Sequence, residues 1–200
     1  MKIEKKFVYA LLLCILCCAA LLNGCRPNAD EAQMQEEQNP GGMQVEEIES
    51  LGTFTVEDIA GESYTQEMFA DYDLTLVNVF TTWCTPCVRE IPDLEQLKNE
   101  MADQGVNVVG FILDALDSSG EPNQETVEKA KLLAEKTAAT YPFLIPDEGY
   151  LNGRLAGIVA VPETFFVDKE GNIVGNTYSG SRSFEEWMEI VENERKAVTE

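Results

Sequence analysis

The stretch from Leu76 to Pro92 limits what this chain can become more than any other. Leu76-Val77-Asn78-Val79-Phe80 reads as a strand, Trp83-Cys84-Thr85-Pro86-Cys87 follows closely, and a helical pattern continues from there. Val77, Val79 and Phe80 are β-branched or aromatic and suit a buried strand. Thr85-Pro86 suits the first turn of a helix, where a missing backbone N–H costs nothing. Cys84 then lies at a helix N-terminus, where unpaired amides and the helix dipole favour a thiolate. A free thiol with a pKa of about 8.5 is only about 3% ionised at pH 7, and lowering that value to about 7 ionises half of it. Cys87 lies one turn further in, less exposed and close enough to close a small disulfide ring. Cys84 is therefore the expected attacking sulfur and Cys87 the resolving one.

A bare C-x-x-C also occurs as half of a zinc site or as a structural bridge. This chain has no histidine and no second C-x-x-C, so carboxylates alone would have to complete a zinc site, against the usual ligand preference. The strand before the pair, Trp83 beside it and the helix after it favour redox chemistry.

Trp83-Cys84-Thr85-Pro86-Cys87 resembles the active-site motif of the thioredoxin superfamily. Asn78 in the strand, Glu90 three residues after Cys87 and Pro92 two further on resemble the TlpA/ResA/DsbE branch. Those are membrane-tethered, extracytoplasmic thiol–disulfide oxidoreductases. The resemblance covers roughly Leu51 to the C-terminus. It implies an α/β protein, a thioredoxin-like three-layer α/β/α fold with a central mixed β-sheet and an N-terminal β-hairpin extension.

The resemblance also assigns residues. Pro162, in Ala160-Val161-Pro162-Glu163-Thr164, corresponds to the cis-proline that faces the dithiol, leaving the Val161 backbone to pair with a substrate peptide. A trans proline starting a strand is the alternative. Trp83, Pro86, Val161, Pro162 and Glu163 form the expected substrate-facing set. Glu90 is the family's acidic residue, able to shuttle a proton or to raise a thiol pKa by like-charge repulsion. An ordinary glutamate in the first turns of a helix is the other reading. Asn78 stands where thioredoxin has a buried acid; it either leaves the proton to Glu90 or simply satisfies buried backbone groups. Glu163 departs from the family, where threonine usually follows the proline. Facing the dithiol it would raise the thiol pKa, and facing away it would do nothing, since a strand alternates faces. Trp83 is expected to shield the disulfide or to pack in the core.

The N-terminus reads as an export signal. Lys2, Lys5 and Lys6 precede an apolar run from Phe7 to Leu22, short for a membrane span and suited to a signal peptide. Leu22-Asn23-Gly24-Cys25 resembles a bacterial lipobox, which implies cleavage after Gly24 and a lipid on Cys25; a transmembrane anchor is the alternative. Residues 1–24 are the signal segment, 25–50 a polar, acidic tether and 51–200 one domain. The tether is broken by Pro and Gly, has about 25 residues and should span about 25–30 Å. Cleavage removes Cys14, Cys17 and Cys18 and lipidation occupies Cys25, leaving Cys84 and Cys87 alone.

The net charge is −22, and no Lys or Arg lies between Arg26 and Arg89. Such a chain repels nucleic acid and anionic lipid head groups. Along the domain, Phe54-Val56 and Glu62-Thr65 read as a hairpin, and Gln66–Ala70 as a short helix or turn. Leu74–Phe80 is the central strand, followed by a helix from Thr85 to about Asp103 kinked by Pro92. Next come a strand over Val106–Leu113, an amphipathic helix over Gln124–Thr140, a short strand at Phe143–Ile145 and a helix at Tyr150–Leu155. A hairpin over Thr164–Val167 and Asn172–Tyr178 follows. The last helix is capped by Ser183 with Glu186 three residues on. Helices are expected on both faces of the sheet.

The function expected is a lipid-anchored, extracytoplasmic thiol–disulfide oxidoreductase, acting as a reductase and monomeric. The resemblance implies electrons from a membrane dithiol carrier of the CcdA/DsbD type, passed to protein disulfides such as those of apocytochrome c or a methionine sulfoxide reductase. No metal or organic cofactor is expected beyond the redox-active Cys84–Cys87 disulfide. An oxidase of the same fold is the main rival, because direction is set by potential. A thiol peroxidase would use Thr81 three residues before Cys84, but Val77 stands where its usual proline would be. A copper chaperone of the SCO type would need histidine. A non-enzymatic binding lipoprotein would tolerate loss of Cys84.

Overall fold

In the computed structural model, residues 49–199 are described. The first elements are two short antiparallel strands, β1 (Thr55–Glu57) and β2 (Ser63–Thr65), as the hairpin pattern predicts. One turn of 3-10 helix, Gln66–Phe69, follows, with Thr65 accepting the Glu67 N–H. Every residue of β3 (Leu74–Phe80) is buried, which explains its near-continuous apolar sequence. Helix α1 (Thr85–Met101) buries Cys87, Glu90, Ile91, Leu94, Leu97 and Met101 at helical spacing, with Pro92 inside it. A 3-10 turn, Ala102–Gln104, ends it at Gly105, whose φ is 75°. This left-handed cap favours glycine, and a Cβ there would also meet Asp73 Oδ2 at 2.7 Å, which would have to shift.

The remaining elements are β4 (Val106–Ile112), α2 (Gln124–Thr137), β5 (Phe143–Leu144), β6 (Glu163–Val167), β7 (Ile173–Ser179) and α3 (Phe184–Thr199). The main sheet has the order β5-β4-β3-β6-β7. β3, β4 and β5 run parallel, whereas β6 and β7 are antiparallel to their neighbours, so the sheet is mixed. Asp58 bridges Leu144, which joins the hairpin to the β5 edge. Ser50 bridges Asn172, and the Ile173 N–H donates to the Glu49 carbonyl at 2.8 Å. The last two residues assigned to the tether are thus part of a covered sheet edge.

Alternation along β3 separates two cores. Leu74, Leu76 and Phe80 face α1, α2 and α3, and pack with Ile91, Leu94, Val127, Trp187 and Val191. Val77 and Val79 face the other way, against Phe54, Phe69, Leu151, Leu155 and Phe165. The described α-helices all contribute to the first core, and the second outer layer is made of the hairpin, the 3-10 turn and the 147–157 segment.

That last segment corrects the expectation of a helix at Tyr150–Leu155. It is a run of turns in which Tyr150, Leu151 and Asn152 have φ of 48°, 53° and 55°. Asp147 captures it, its carbonyl accepting Tyr150 N–H at 3.0 Å and its Oδ1 accepting Leu151 N–H at 2.9 Å. Leu151 and Leu155 are still buried, so the apolar spacing reports burial but not the hand of the backbone. Helix α2 also stops early, at Thr137 rather than Thr140, with Ala138 left-handed at φ 54°. The Glu95 carboxylate draws the chain away, accepting the Thr140 N–H and hydroxyl at 2.7 Å each. The Ser183–Glu186 capping box is present: Glu186 accepts the Ser183 N–H at 2.9 Å, and Ser183 Oγ accepts the Glu186 N–H at 3.4 Å.

No helix of the described residues is long and apolar enough to cross a membrane. Cys25 and the signal segment lie outside the described residues, as does the tether up to residue 48.

Candidate active site

The C-terminal end of the central strand β3 delivers the chain into a fixed loop. The Leu113 N–H donates to the Phe80 carbonyl at 2.8 Å. Asp114 accepts the Thr82 N–H at 3.1 Å and the Thr82 hydroxyl at 2.8 Å. Asp114 was not singled out in the sequence, because its partner lies 32 residues away. Trp83 follows and is 73% exposed, so core packing is corrected: the loop turns the indole outward.

Cys84 is the N-cap of α1 and Pro86 sits in its first turn. The sulfurs of Cys84 and Cys87 are bonded at 2.07 Å, with Cα atoms 5.3 Å apart. Cys84 is 5% exposed and Cys87 fully buried, the expected order. The Cys87 N–H points at Cys84 Sγ from 3.3 Å. A thiolate formed on Cys84 would accept that N–H, as an N-cap side chain does. No carboxylate occupies the first turn, so nothing acidic offsets the helix dipole there.

The Val161–Pro162 peptide is cis, as the resemblance implies. The Val161 carbonyl lies 3.6 Å from Cys84 Sγ, so the segment leading into β6 abuts the outer sulfur. The Pro162 carbonyl accepts the Gly180 N–H at 2.9 Å. Val159, two residues before Val161, is 97% exposed.

Glu163 is on the face of β6 shared by Phe165 and Val167, whereas Thr164 and Phe166 face the helices. Its carboxylate therefore does not belong to the layer that carries the dithiol. Arg154 pairs with it, Nη1 to Oε1 at 2.9 Å, while its guanidinium stacks 4.1 Å from the Phe165 ring centroid. Arg154 sits in the segment whose backbone the sequence misread, so its partner could not be anticipated.

Glu90 is 1% exposed. Its Oε1 accepts the Trp187 indole N–H and the Arg182 backbone N–H, both at 2.8 Å. Its Oε2 accepts the Asn78 amide at 3.2 Å, and the same Asn78 nitrogen donates to Thr164 Oγ1 at 3.0 Å. Asn78 thus serves side chains rather than buried backbone groups, which corrects that reading. Burial pushes the Glu90 carboxyl above its usual range, against the opposing pull of its three donors and the Arg182 charge. Trp187 and Arg182 were missed; the available signal was that a buried indole N–H needs an acceptor.

The arrangement can exchange disulfides: an outer sulfur at a helix N-cap, an inner sulfur one turn on, a peptide backbone beside the outer sulfur, and a buried acid on the inner side. Residues 49–175 match the AhpC/TSA family, and the chain belongs to that family. It is 30% identical over 130 residues to the thiol:disulfide interchange protein DsbE of Haemophilus influenzae, covering 65% of this chain and 64% of that one. The chain thus spans just under two thirds of that relative's length. It is 29% identical over 148 residues to the thiol-disulfide oxidoreductase ResA of Halalkalibacterium halodurans, covering 73% and 77%. A crystal structure of a thioredoxin family thiol:disulfide interchange protein from Chlorobium tepidum superposes with a TM-score of 0.60 at 24% identity, covering 74% of this chain and 97% of that one. The structural likeness establishes the thioredoxin-like fold.

Proposed function

We propose that this member of the AhpC/TSA family is an extracytoplasmic thiol–disulfide oxidoreductase that reduces protein disulfides. The observation that carries the reading is the Cys84–Cys87 pair at the N-cap of α1, with the Val161 carbonyl 3.6 Å from the outer sulfur. In the reduced protein the Cys84 thiolate attacks one sulfur of the substrate disulfide. A mixed disulfide forms and one substrate thiolate leaves. Cys87 gives up its proton and attacks Cys84 Sγ, closing the internal disulfide and releasing the second substrate thiolate. Two electrons pass to the substrate; the Cys87 proton neutralises one of its thiolates by way of an acceptor, the other takes a proton from solvent, and an external dithiol restores the pair. Glu90 is the group we assign to receive the Cys87 proton. Trp83, Pro86, Val161 and Pro162 would meet the substrate, with the Val161 backbone pairing as a short added strand.

Lipidation at Cys25 would hold the domain at the membrane on the outer side, since two acyl chains anchor stably at about 0.8 kcal/mol per buried CH₂. Apocytochrome c or a methionine sulfoxide reductase is the proposed substrate, and a CcdA/DsbD-type carrier the proposed donor.

The test is the reduction potential of Cys84–Cys87, by equilibration with glutathione or dithiothreitol. A value at or below about −270 mV supports a reductase, whereas one near about −120 mV makes the protein an oxidant.

A further inference from the structure

The corner between β7 and α3 touches both sides of the candidate site. On one side Gly180 donates its N–H to the Pro162 carbonyl at 2.9 Å. On the other, the Arg182 backbone N–H and the Trp187 indole N–H converge on Glu90 Oε1. The Arg182 guanidinium closes the corner. It donates to the Gly180 carbonyl at 2.8 Å and lies 5.0 Å from the Tyr178 ring and 5.1 Å from the Trp187 ring.

Trp187 is fully buried. Its N–H is a donor only and must find an acceptor inside the core. Apolar packing alone would be as well served by phenylalanine. The indole instead spends its one polar atom on a carboxylate, where a hydrogen bond to the ionised form is about twice as strong as a neutral one. Asn78 completes the pattern: its Nδ2 faces Glu90, while its Oδ1 is buried without a partner. A protonated Glu90 can therefore be met by rotating the amide, so the cage around Glu90 suits both protonation states.

We propose that Trp187 is a positioning residue for the exchange reaction: its indole N–H, with the Arg182 backbone N–H, holds the carboxyl of Glu90, one helical turn after Cys87 on α1, in a fixed place and keeps it able to ionise inside the core. The proposal rests on the dithiol reading above. The groups around Glu90 are few. Cys84 and Cys87 share its helix, Arg182 comes from the corner, and Asn78 and Thr164 are uncharged. Tyr141, from the segment before β5, is a buried phenol without a partner whose ionisation burial and then the Glu90 and Glu95 charges oppose. Tyr178, beside Trp187, is bonded to Glu194 at 2.7 Å. Farther along the contact between α1 and α3, Asp93 faces Glu185.

The first test needs no substitution in the corner. The chain has two tryptophans, and comparison with Trp83→Phe identifies the Trp187 indole N–H resonance by NMR. In the intact protein, oxidised and reduced, that resonance should move with pH along a curve centred above the ordinary carboxylate range, and Glu90→Gln should flatten it. A Trp187 signal that stays flat from acid to neutral pH overturns the proposal. The second test follows the alkylation rate of Cys84 against pH. Trp187→Phe should move the Glu90-dependent inflection upward by about one pH unit, the loss of one charge-assisted hydrogen bond. It should change nothing further in a Glu90→Gln background. The same change in both backgrounds would mean that Trp187 acts through packing, and sinks the proposal. Insulin-disulfide reduction by the unaltered protein separates the two levels. Failure there refutes the dithiol reading, whereas an active protein with a flat Trp187 signal refutes only the positioning role.

Discussion

Arg154 Nη1 lies 2.9 Å from Glu163 Oε1, and the two side chains are 15% and 18% exposed. The acid that follows Pro162 is therefore answered by a guanidinium from the turn segment that precedes it, and the pair ties that segment to the first residue of β6. Arg154 also reaches Thr177 on β7.

Removing one partner should cost more than removing both. Arg154→Ala leaves a half-buried carboxylate beside the cis Val161–Pro162 peptide, and we expect a loss of about 1–2 kcal/mol in urea denaturation, between the values for exposed and buried pairs. Arg154→Ala with Glu163→Gln should recover part of it. A double variant no better than the single one would show that the ion pair is not the source of the loss.

The two cysteines should separate cleanly in function. Cys84→Ser is expected to reduce insulin no faster than background. Cys87→Ser should still make the first attack and, having no resolving thiol, accumulate a mixed disulfide visible as a mass adduct. Adducts on Cys87 in the Cys84→Ser protein would invert the assigned roles.

Glu90 links stability to pH. Burial raises its folded-state pKa above the ordinary 4.5. The buried, protonated carboxyl therefore favours the fold below that ordinary value, and the contribution is lost as pH rises through the higher folded value. Glu90→Gln resembles the protonated form at every pH. Its stability relative to the parent should be nearly level at acid pH and increasingly favourable towards neutrality, read from urea midpoints at both ends. Exchange activity should fall by about a hundredfold, the range for loss of a general base. A stability difference independent of pH would show that Glu90 keeps its ordinary ionisation.

Asp114 holds the loop in front of Trp83. Asp114→Ala removes the acceptor for both the Thr82 N–H and hydroxyl and should cost about 1–2 kcal/mol. Asp114→Asn, which keeps one acceptor oxygen, should cost less. Fluorescence anisotropy of Trp83, recorded in a Trp187→Phe background, should drop only in the alanine variant. Unchanged anisotropy there would mean that the loop is fixed by other contacts.

Where the physics is local, the sequence is readable. The buried run Leu74–Phe80, the proline in the first turn of α1 and the Ser183–Glu186 box each specify their element within a few residues. Errors arise where a distant group overrides a local pattern. Glu95 ends α2 by accepting Thr140. Likewise, Asp147 gathers the N–H groups of Tyr150 and Leu151 and turns an apparent helix into left-handed turns.

The site divides in the same way. Cys84, Cys87 and the helix that presents them follow from residue spacing and helix-end electrostatics, which depend only on neighbours along the chain. The environment of Glu90 does not. Its donors come from β3, from the β7–α3 corner and from α3, the farthest of them 97 residues away, and burial, which governs its ionisation, exists only once these elements have packed. The same holds for Glu163, whose direction is fixed by the pleat of β6 and whose partner, Arg154, is set by the turn beneath it. The sequence alone determined the chemistry of the sulfurs. Tertiary structure decided which charges stand near them, because desolvation and pairing depend on contacts that chain order does not specify.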